Sequence, residues 1–309
     1  MIVAAGLGTR MRPLTDWKPK PACPVRGIPL VAYQLELLAR HGVTEAIVNT
    51  HHLPDVLIAA AERYCPPGVR VTFSHEPELL DTGGGIRRAA AFLRESDPCL
   101  IVGGDMLLDA DLTALCESHR ETGAAVTLLL RRDPRAAEFG TIGIDEEGCL
   151  RRIGPRFDLG GVRDAGVYVW ANVVSARAFE TLPDREAFGH LDHWLAPRLR
   201  AGARDIRANV TDITEGAWEP VGTLAEYLRA NLEPTRLSYL DADTRARADG
   251  TRFEDAVVIG SGASLGKGAA LERAVIWEDE RVPDGLRASD GVFAGGAFHP
   301  CAAPAGRRT

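Results

Sequence analysis

The residues best placed to do chemistry stand close to the start of the chain. The apolar run Ile2-Val3-Ala4-Ala5 leads straight into Gly6-Leu7-Gly8-Thr9-Arg10, and Lys18-Pro19-Lys20-Pro21 follows. A glycine-containing loop directly after a strand lets backbone N–H groups approach phosphate oxygens closely. The letters fit neither familiar phosphate motif: a dinucleotide fingerprint needs a third glycine where Met11 stands, and a P-loop needs Gly-Lys-Ser/Thr four residues after its first glycine. What remains is a phosphate loop carrying its own Arg10, followed by a lysine segment that prolines stiffen. Of the 36 basic residues only Lys18, Lys20 and Lys267 are lysine, and two of these three share this segment. In a chain so biased to arginine, that placement points to a site using a compact ammonium as a point charge.

A second chemical feature is the run Cys99-Leu100-Ile101-Val102-Gly103-Gly104-Asp105, an apolar strand ending in glycines and an acid. A carboxylate at the carboxyl end of a strand, beside small residues, is well placed to hold Mg²⁺ on a phosphate chain. Asp109 and Asp111 fit a helix cap or a solvated loop better. His51 and His52 are adjacent, point differently and read as structural. His190 and His193 have helical spacing for a metal pair but no evident third ligand, and read as a surface helix. The six cysteines stand far apart without a C-x-x-C pattern, which favours small core residues over zinc or disulfides.

These groups need a scaffold, and the patterning supplies one. Residues 2–5, 45–50, 69–74, 99–102 and 124–130 read as strands, several apolar throughout as expected of a sheet covered on both faces. Between them residues 29–41, 53–64, 84–95 and 111–121 have helical spacing. The alternation predicts an α/β fold: a doubly wound, mostly parallel, Rossmann-like sheet with its ligand site beyond the strands' carboxyl ends. Residues 141–144, 167–170 and 205–210 read as strands of a substrate-side subregion. Near residue 250 Phe253, Ile259, Leu265, Leu271 and Trp277 recur every six residues, which predicts a short left-handed β-helix of hexapeptide repeats. The expected division is 1–238 for the catalytic domain, 239–302 for the β-helix and 303–309 for a tail.

Composition limits the partners. A net charge of -7 argues against a bulk nucleic-acid or anionic-membrane surface. No apolar stretch approaches a membrane span and no signal-peptide pattern opens the chain, so a cytoplasmic protein is expected.

The stretch from Ala4 to Pro21, continued by Pro24-Val25-Arg26-Gly27-Ile28-Pro29-Leu30, closely resembles the signature of the sugar-nucleotide pyrophosphorylases. That resemblance implies transfer of a nucleotidyl group from an NTP to a sugar 1-phosphate, with release of pyrophosphate. It implies that Ala5, Gly6, Gly8, Thr9 and Arg10 hold the triphosphate, that Lys20 holds phosphate charge, and that Asp105 binds Mg²⁺. Arg10, Lys20 and Asp105 are then the catalytic set. Glu76-Pro77 and Asp81-Thr82-Gly83-Gly84-Gly85-Ile86 resemble the base-reading segment, implying Glu76, Gly83 and Gly84 as base and ribose contacts. The triple glycine resembles the mannose 1-phosphate guanylyltransferase-like and muramate uridylyltransferase-like branches. Phe139-Gly140-Thr141-Ile142 and Asp164-Ala165-Gly166-Val167-Tyr168-Val169 resemble sugar-contacting segments, implying Gly140, Asp164 and Gly166.

Two departures stand beside the match. The usual Glu-Lys-Pro is replaced by Arg152-Ile153-Gly154-Pro155-Arg156, and Pro220 stands where the second metal-binding Asp is ordinarily found. Glu219 should face away if this is a strand, which leaves Asp212 or Glu215 through a loop movement, or a metal held by Asp105, phosphates and water. Only one glutamine, Gln34, exists in the chain, and Glu76 offers an acceptor for guanine N–H donors, so GTP and a mannose- or heptose-like sugar 1-phosphate are the expected substrates. The alternatives are a uridylyltransferase acting on an amino-sugar 1-phosphate, or a non-catalytic sugar-nucleotide-binding regulatory protein. The C-terminal repeats are expected to pack or to make a homo-oligomer.

Overall fold

The computed structural model describes residues 1–301; the tail expected at 303–309 lies outside the described residues. The strand Ile2–Val3 is the centre of the main sheet, lying parallel to Glu45–Thr50 on one side and to Cys99–Gly103 on the other. Arg70–His75 continues the parallel order beyond Glu45–Thr50. On the opposite flank Asp164–Val174 runs antiparallel to Cys99–Gly103 and to Val126–Arg131, and Ile206–Thr211 closes that edge parallel to Val126–Arg131. Every residue of Val126–Arg131 is buried, Thr127 and Arg131 included, as expected where both sheet faces are covered. The fold is thus mixed α/β with a mostly parallel central sheet, as the alternation of elements predicts. Its one reversed member is longer than the short strand expected at 167–170.

That reversed strand also forks. Its register breaks between Tyr168 and Asn172, where Trp170 takes φ 55°, a left-handed conformation costly for an L-residue. Before the break Val167 and Tyr168 still pair with Val126–Arg131, while residues 164–166 leave Cys99–Gly103 and pair with Ile142–Ile144, which continues into Leu150–Ile153 and Phe157–Asp158. This side ribbon overhangs one end of the cleft described below.

The C-terminal region is a stack of parallel strands whose repeat is 17 residues. Val257–Ile259, Ala270–Ile276 and Arg287–Ala294 are stacked in parallel, with Val257 beside Ala274 and Ala274 beside Gly291, so each rung lies 17 residues beyond the last. Three hexapeptides would make 18. The residues that stack are Ile259, Ile276 and Phe293, which fill the coil's own small core with Val282. Leu265 of the expected series is 41% exposed, and Phe253 belongs to a strand antiparallel to the first rung. The helix Ala242–Ala248 occupies the start of the segment assigned to the β-helix. Ser264–Leu265 stacks on Arg281–Val282 with the same offset, so a coil here is one residue shorter than three hexapeptides.

Because side chains alternate along a strand, the neighbours Val258, Val275 and Val292 point the other way, into a core shared with Tyr227, Leu228 and Ala230 of the helix Leu224–Leu232. A buried hydrogen-bond chain crosses this seam. Trp277 Nε1 donates to Tyr227 Oη at 2.9 Å, and that hydroxyl donates in turn to the Pro24 carbonyl. Tyr227→Phe leaves the Trp277 N–H and the Pro24 carbonyl unpaired at no change in shape. It should cost about 1–3 kcal/mol of unfolding free energy in urea titrations.

Candidate active site

The carboxyl ends of Ile2–Val3 and Cys99–Gly103 open onto two adjoining cavities of about 570 and 410 Å³. Arg10, Lys20, Asp105, Trp170 and Gly222 line both of them. The first cavity is walled by the early loop, including Ala5, Gly6, Gly8, Thr9 and Arg10. Gly8 has φ +63°, and a Cβ there would lie 2.9 Å from Thr15 Cγ2 and 3.1 Å from Lys20 Cβ. Both the turn and the closeness of Lys20 therefore demand glycine at that position. A Cβ on Gly6 would meet nothing within 4 Å, so its backbone stands open to the cleft.

Lys20 lies in the turn Lys20–Ala22 with prolines on either side. Its side chain is 10% exposed, and Nζ donates to Asp105 Oδ2 at 2.6 Å, while the Asp105 side chain remains 47% exposed. The cation is sheltered and the carboxylate faces the cleft. Arg10 is exposed and reaches across to Gly222, where a Cβ would lie 3.0 Å from Nη2. The three residues singled out for catalysis from the sequence are thus brought together where the cavities meet.

Glu76 has another occupation. It is 1% exposed; Oε1 accepts from Asn49 Nδ2 at 2.7 Å and Oε2 from the Leu80 N–H at 3.1 Å. Asn49 Oδ1 accepts from the Ala4 N–H at 2.6 Å. The acid therefore ties the ends of three segments together while it lines the first cavity. Gly83 and Gly84 also serve packing rather than the base. Both N–H groups donate to the Phe188 carbonyl, and Cβ atoms would lie 2.3 Å from the Phe188 ring and 2.2 Å from the Glu186 carbonyl oxygen. The residues of this segment that line the cavity are Glu76, Leu79, Asp81 and Thr82.

On the second cavity Gly140 is present, but Asp164 and Gly166 are not among its walls. Asp164 is ion-paired with Arg132 at 2.6 Å, and Gly166 is pressed against the backbone of Arg131. The bulge at Trp170 shifts which residues of the strand face the cleft, and Val167, Tyr168 and Trp170 do so instead. Arg156 also lines this cavity, so the segment lacking Glu-Lys-Pro still delivers a cation.

Pro220 faces the second cavity as well. Glu219 points away, as alternation predicts, into ion pairs with Arg135 and Arg229. Asp212 is paired with Arg132, and the Glu215 carbonyl is held by Arg131; neither residue lines either cavity. Besides Asp105, the acids that line the second cavity are Asp192 and Glu226, and Glu226 Oε2 accepts from the Gly222 N–H at 2.7 Å. Sequence reading missed Glu226 because it sits in the first turn of a helix, three residues after its cap Thr223, where an acid has an ordinary capping explanation. Among the described residues no three His, Cys, Asp or Glu side chains converge as a ready-made metal site. One exposed carboxylate nevertheless suits Mg²⁺, which takes oxygen ligands and completes its shell with phosphates and water.

His51 and His52 bind backbone carbonyls, those of Glu76 and Thr15, each at 2.7 Å. His190 is not on a surface helix. It is 4% exposed and sits at the start of a π-helical turn, His190–Leu195. Thr82 Oγ1 lies 2.9 Å from its Nδ1 and Tyr168 Oη 3.3 Å from its Nε2, so the imidazole bridges the walls of the two cavities. Burial pushes its pKa down to about 4, and His119 is displaced to about 4 for the same reason. An unfolded histidine takes its proton near pH 6.5. Stability is therefore full above that pH and falls as pH drops toward 4. His190→Gln should flatten this loss, read as the change in urea midpoint between pH 7 and pH 5; an unaltered slope would remove His190 from the account.

Comparison with known proteins gives the family. A family model described as nucleotidyl transferase matches residues 1–236. Mannose-1-phosphate guanylyltransferase of Mycobacterium tuberculosis is 31% identical over 307 residues, covering 92% of this chain and 81% of the relative. UTP–glucose-1-phosphate uridylyltransferase of Synechocystis sp. is 26% identical over 346 residues, covering 96% and 87%. The crystal structure of HddC from Yersinia pseudotuberculosis shares the fold, with a TM-score of 0.61 at 23% identity over 75% of this chain and 97% of that one. The chain belongs to the nucleotidyl transferase family and is an enzyme of the sugar-phosphate nucleotidyltransferase type.

Proposed function

We propose that the protein transfers a guanylyl group from GTP to a mannose- or heptose-like sugar 1-phosphate and releases pyrophosphate. The observation that carries this reading is the meeting of two cavities at one cationic and acidic cluster, Arg10, Lys20 and Asp105. A nucleoside triphosphate in the first cavity lays its phosphates along the loop of Gly6, Gly8, Thr9 and Arg10. A sugar in the second lies among Phe139, Tyr168, Trp170 and Trp218, with Arg156 available to its phosphate.

A sugar-phosphate oxygen then attacks the α-phosphorus in line, one P–O bond forms, and the bond to the departing pyrophosphate breaks. Arg10 and Lys20 neutralise the charge that develops, in a position fixed before the reaction begins. Asp105 would hold Mg²⁺ together with phosphate oxygens and water, and the ion when bound supplies positive charge on the phosphate chain. Glu226 borders the same cavity and offers its second oxygen to that water shell.

The preference for guanine rests on Asp81. Asp81 lines the first cavity, and its Oδ1 accepts from the Thr82 N–H at 2.6 Å; its carboxylate is the acceptor we assign to the N–H donors, of which guanine presents more than uracil. The identity to a guanylyltransferase over most of the chain supports the same choice. Gln34 is committed elsewhere, donating to the Met106 carbonyl from a buried helix.

Pyrophosphate release measured with Mg²⁺ over a grid of nucleoside triphosphates and sugar 1-phosphates should give its strongest response with GTP and a neutral hexose or heptose 1-phosphate. A UTP preference would reverse the base assignment. Lys20→Ala and Asp105→Ala should each lower kcat by at least ~10²-fold, as loss of a preorganised electrostatic group does elsewhere. Turnover near that of the parent in either variant would refute its role. Asp81→Ala should narrow the ratio of kcat/KM for GTP over UTP by roughly tenfold or more, on the scale of one lost charged hydrogen bond.

A further inference from the structure

The loop that carries Arg10 and Lys20 has no α-helix or strand of its own; it has short turns and the bond from Thr15 Oγ1 to the Gly8 carbonyl. Between the first strand and Cys23 its regular elements are three turns of three residues each, Thr9–Met11, Leu14–Asp16 and Lys20–Ala22. Short 3₁₀ turns of this kind have poor hydrogen-bond geometry, so the loop's position must be set by what packs against it.

What packs against its outer side is the C-terminal sheet. The Trp17 ring lies against His299, with centroids 5.5 Å apart. It also covers Gly295 so closely that a Cβ there would fall 2.3 Å from Trp17 Cζ2. Lys18 Nζ pairs with Glu278 Oε1 at 2.6 Å and stands 5.6 Å from the centre of the Trp277 ring. The turn presenting Gly295 is itself pinned, because the N–H groups of Gly295 and Gly296 donate to the two oxygens of Glu280 at 2.6 and 3.1 Å. Yet no residue lining either cavity lies beyond Glu226. The sheet contributes nothing to the walls of the site and still grips the segment between two of its cations.

We propose that the C-terminal sheet is the positioning element of the phosphate-binding loop, with Trp17 as the positioning residue that passes its grip to Arg10 and Lys20. This rests on the nucleotidyl-transfer reading of the cleft. It explains why a strand-to-strand turn far from the chemistry keeps a glycine under an indole ring. It also makes the placement of the triphosphate sensitive to whatever shifts this sheet.

Neighbouring glycines provide a matched test. Gly295 and Gly296 both have positive φ, 59° and 75°, so an alanine at either bears a similar backbone penalty. A Cβ at Gly296 meets nothing within 4 Å, whereas one at Gly295 must displace Trp17. GTP and UTP are titrated by calorimetry into the parent, Gly295→Ala and Gly296→Ala, and pyrophosphate release is followed in parallel.

Gly295→Ala should weaken NTP binding and lower kcat, each roughly tenfold, with KM for the sugar 1-phosphate within about twofold of the parent, since small misplacement of a phosphate clamp has effects of this order or larger. Gly296→Ala should match the parent in both readouts within about twofold while losing a similar amount of thermal stability. Indistinguishable NTP affinity and kcat in the two variants would overturn the proposal.

If Gly295→Ala does not fold, Trp17→Ala takes its place, with Trp17→Phe expected to restore most of the affinity; equal loss in both would be as damaging. A parent that binds GTP or UTP but releases no pyrophosphate would refute the transferase reading while the affinity comparison still decides the positioning role. A parent that binds neither nucleotide would overturn both.

Discussion

The ion pair between Lys20 and Asp105 joins two segments 85 residues apart, at the place where both cavities meet. Its carboxylate is nearly half exposed, and pairs of that kind contribute only about 0–1 kcal/mol to folding. Stability is therefore a poor reason for it. Its value is that it holds a cation and an anion in register before any phosphate arrives, with the ammonium sheltered from water and the carboxylate turned outward. Everything else in the molecule can be read as fixing the two backbones that carry these groups.

For Asp105 the fixing is done by the sheet. It follows Cys99–Gly103, a central strand hydrogen-bonded on both sides, and a Cβ on Gly104 would press on the Val3 carbonyl at 3.0 Å. Beneath the cleft the buried chain from Ala4 through Asn49 to Glu76 and Leu80 locks the neighbouring strand ends together. A buried carboxylate is costly unless its oxygens are satisfied, and here both are. For Lys20 the fixing is more remote, coming from prolines within the loop and from Trp17 and Lys18 held on the C-terminal sheet.

The sugar side is organised by a different device. A bulge holding Trp170 at positive φ turns one strand into two, and the side ribbon it releases carries Gly140 and Arg156 over the second cavity. His190, neutral and buried, braces the same strand against Thr82 of the nucleotide side. With Pro220 at the rim and Glu219 drawn outward by two arginines, that strand gives the cleft no carboxylate.

From the sequence alone, the mostly parallel sheet, the phosphate loop and the trio Arg10, Lys20 and Asp105 were legible, because each rests on local order: apolar runs of strand length, glycines at a strand's end, an acid after small residues. Where a role depended on which way a side chain faces or what lies across from it, local order was silent. Glu76 lines the first cavity, but its bonds to Asn49 and Leu80, which lock the strand ends beneath it, could not be read from the letters. The glycines after Thr82 looked like ligand contacts but make room for residues 186–188. Asp164 and Gly166 precede a bulge that no letter announces. The six-residue spacing near the C-terminus was real as composition, yet the rung of 17 is set by how the coil closes. Chemistry that sits within a few residues of its scaffold is written in the chain; chemistry that depends on packing between distant segments is decided only when those segments meet.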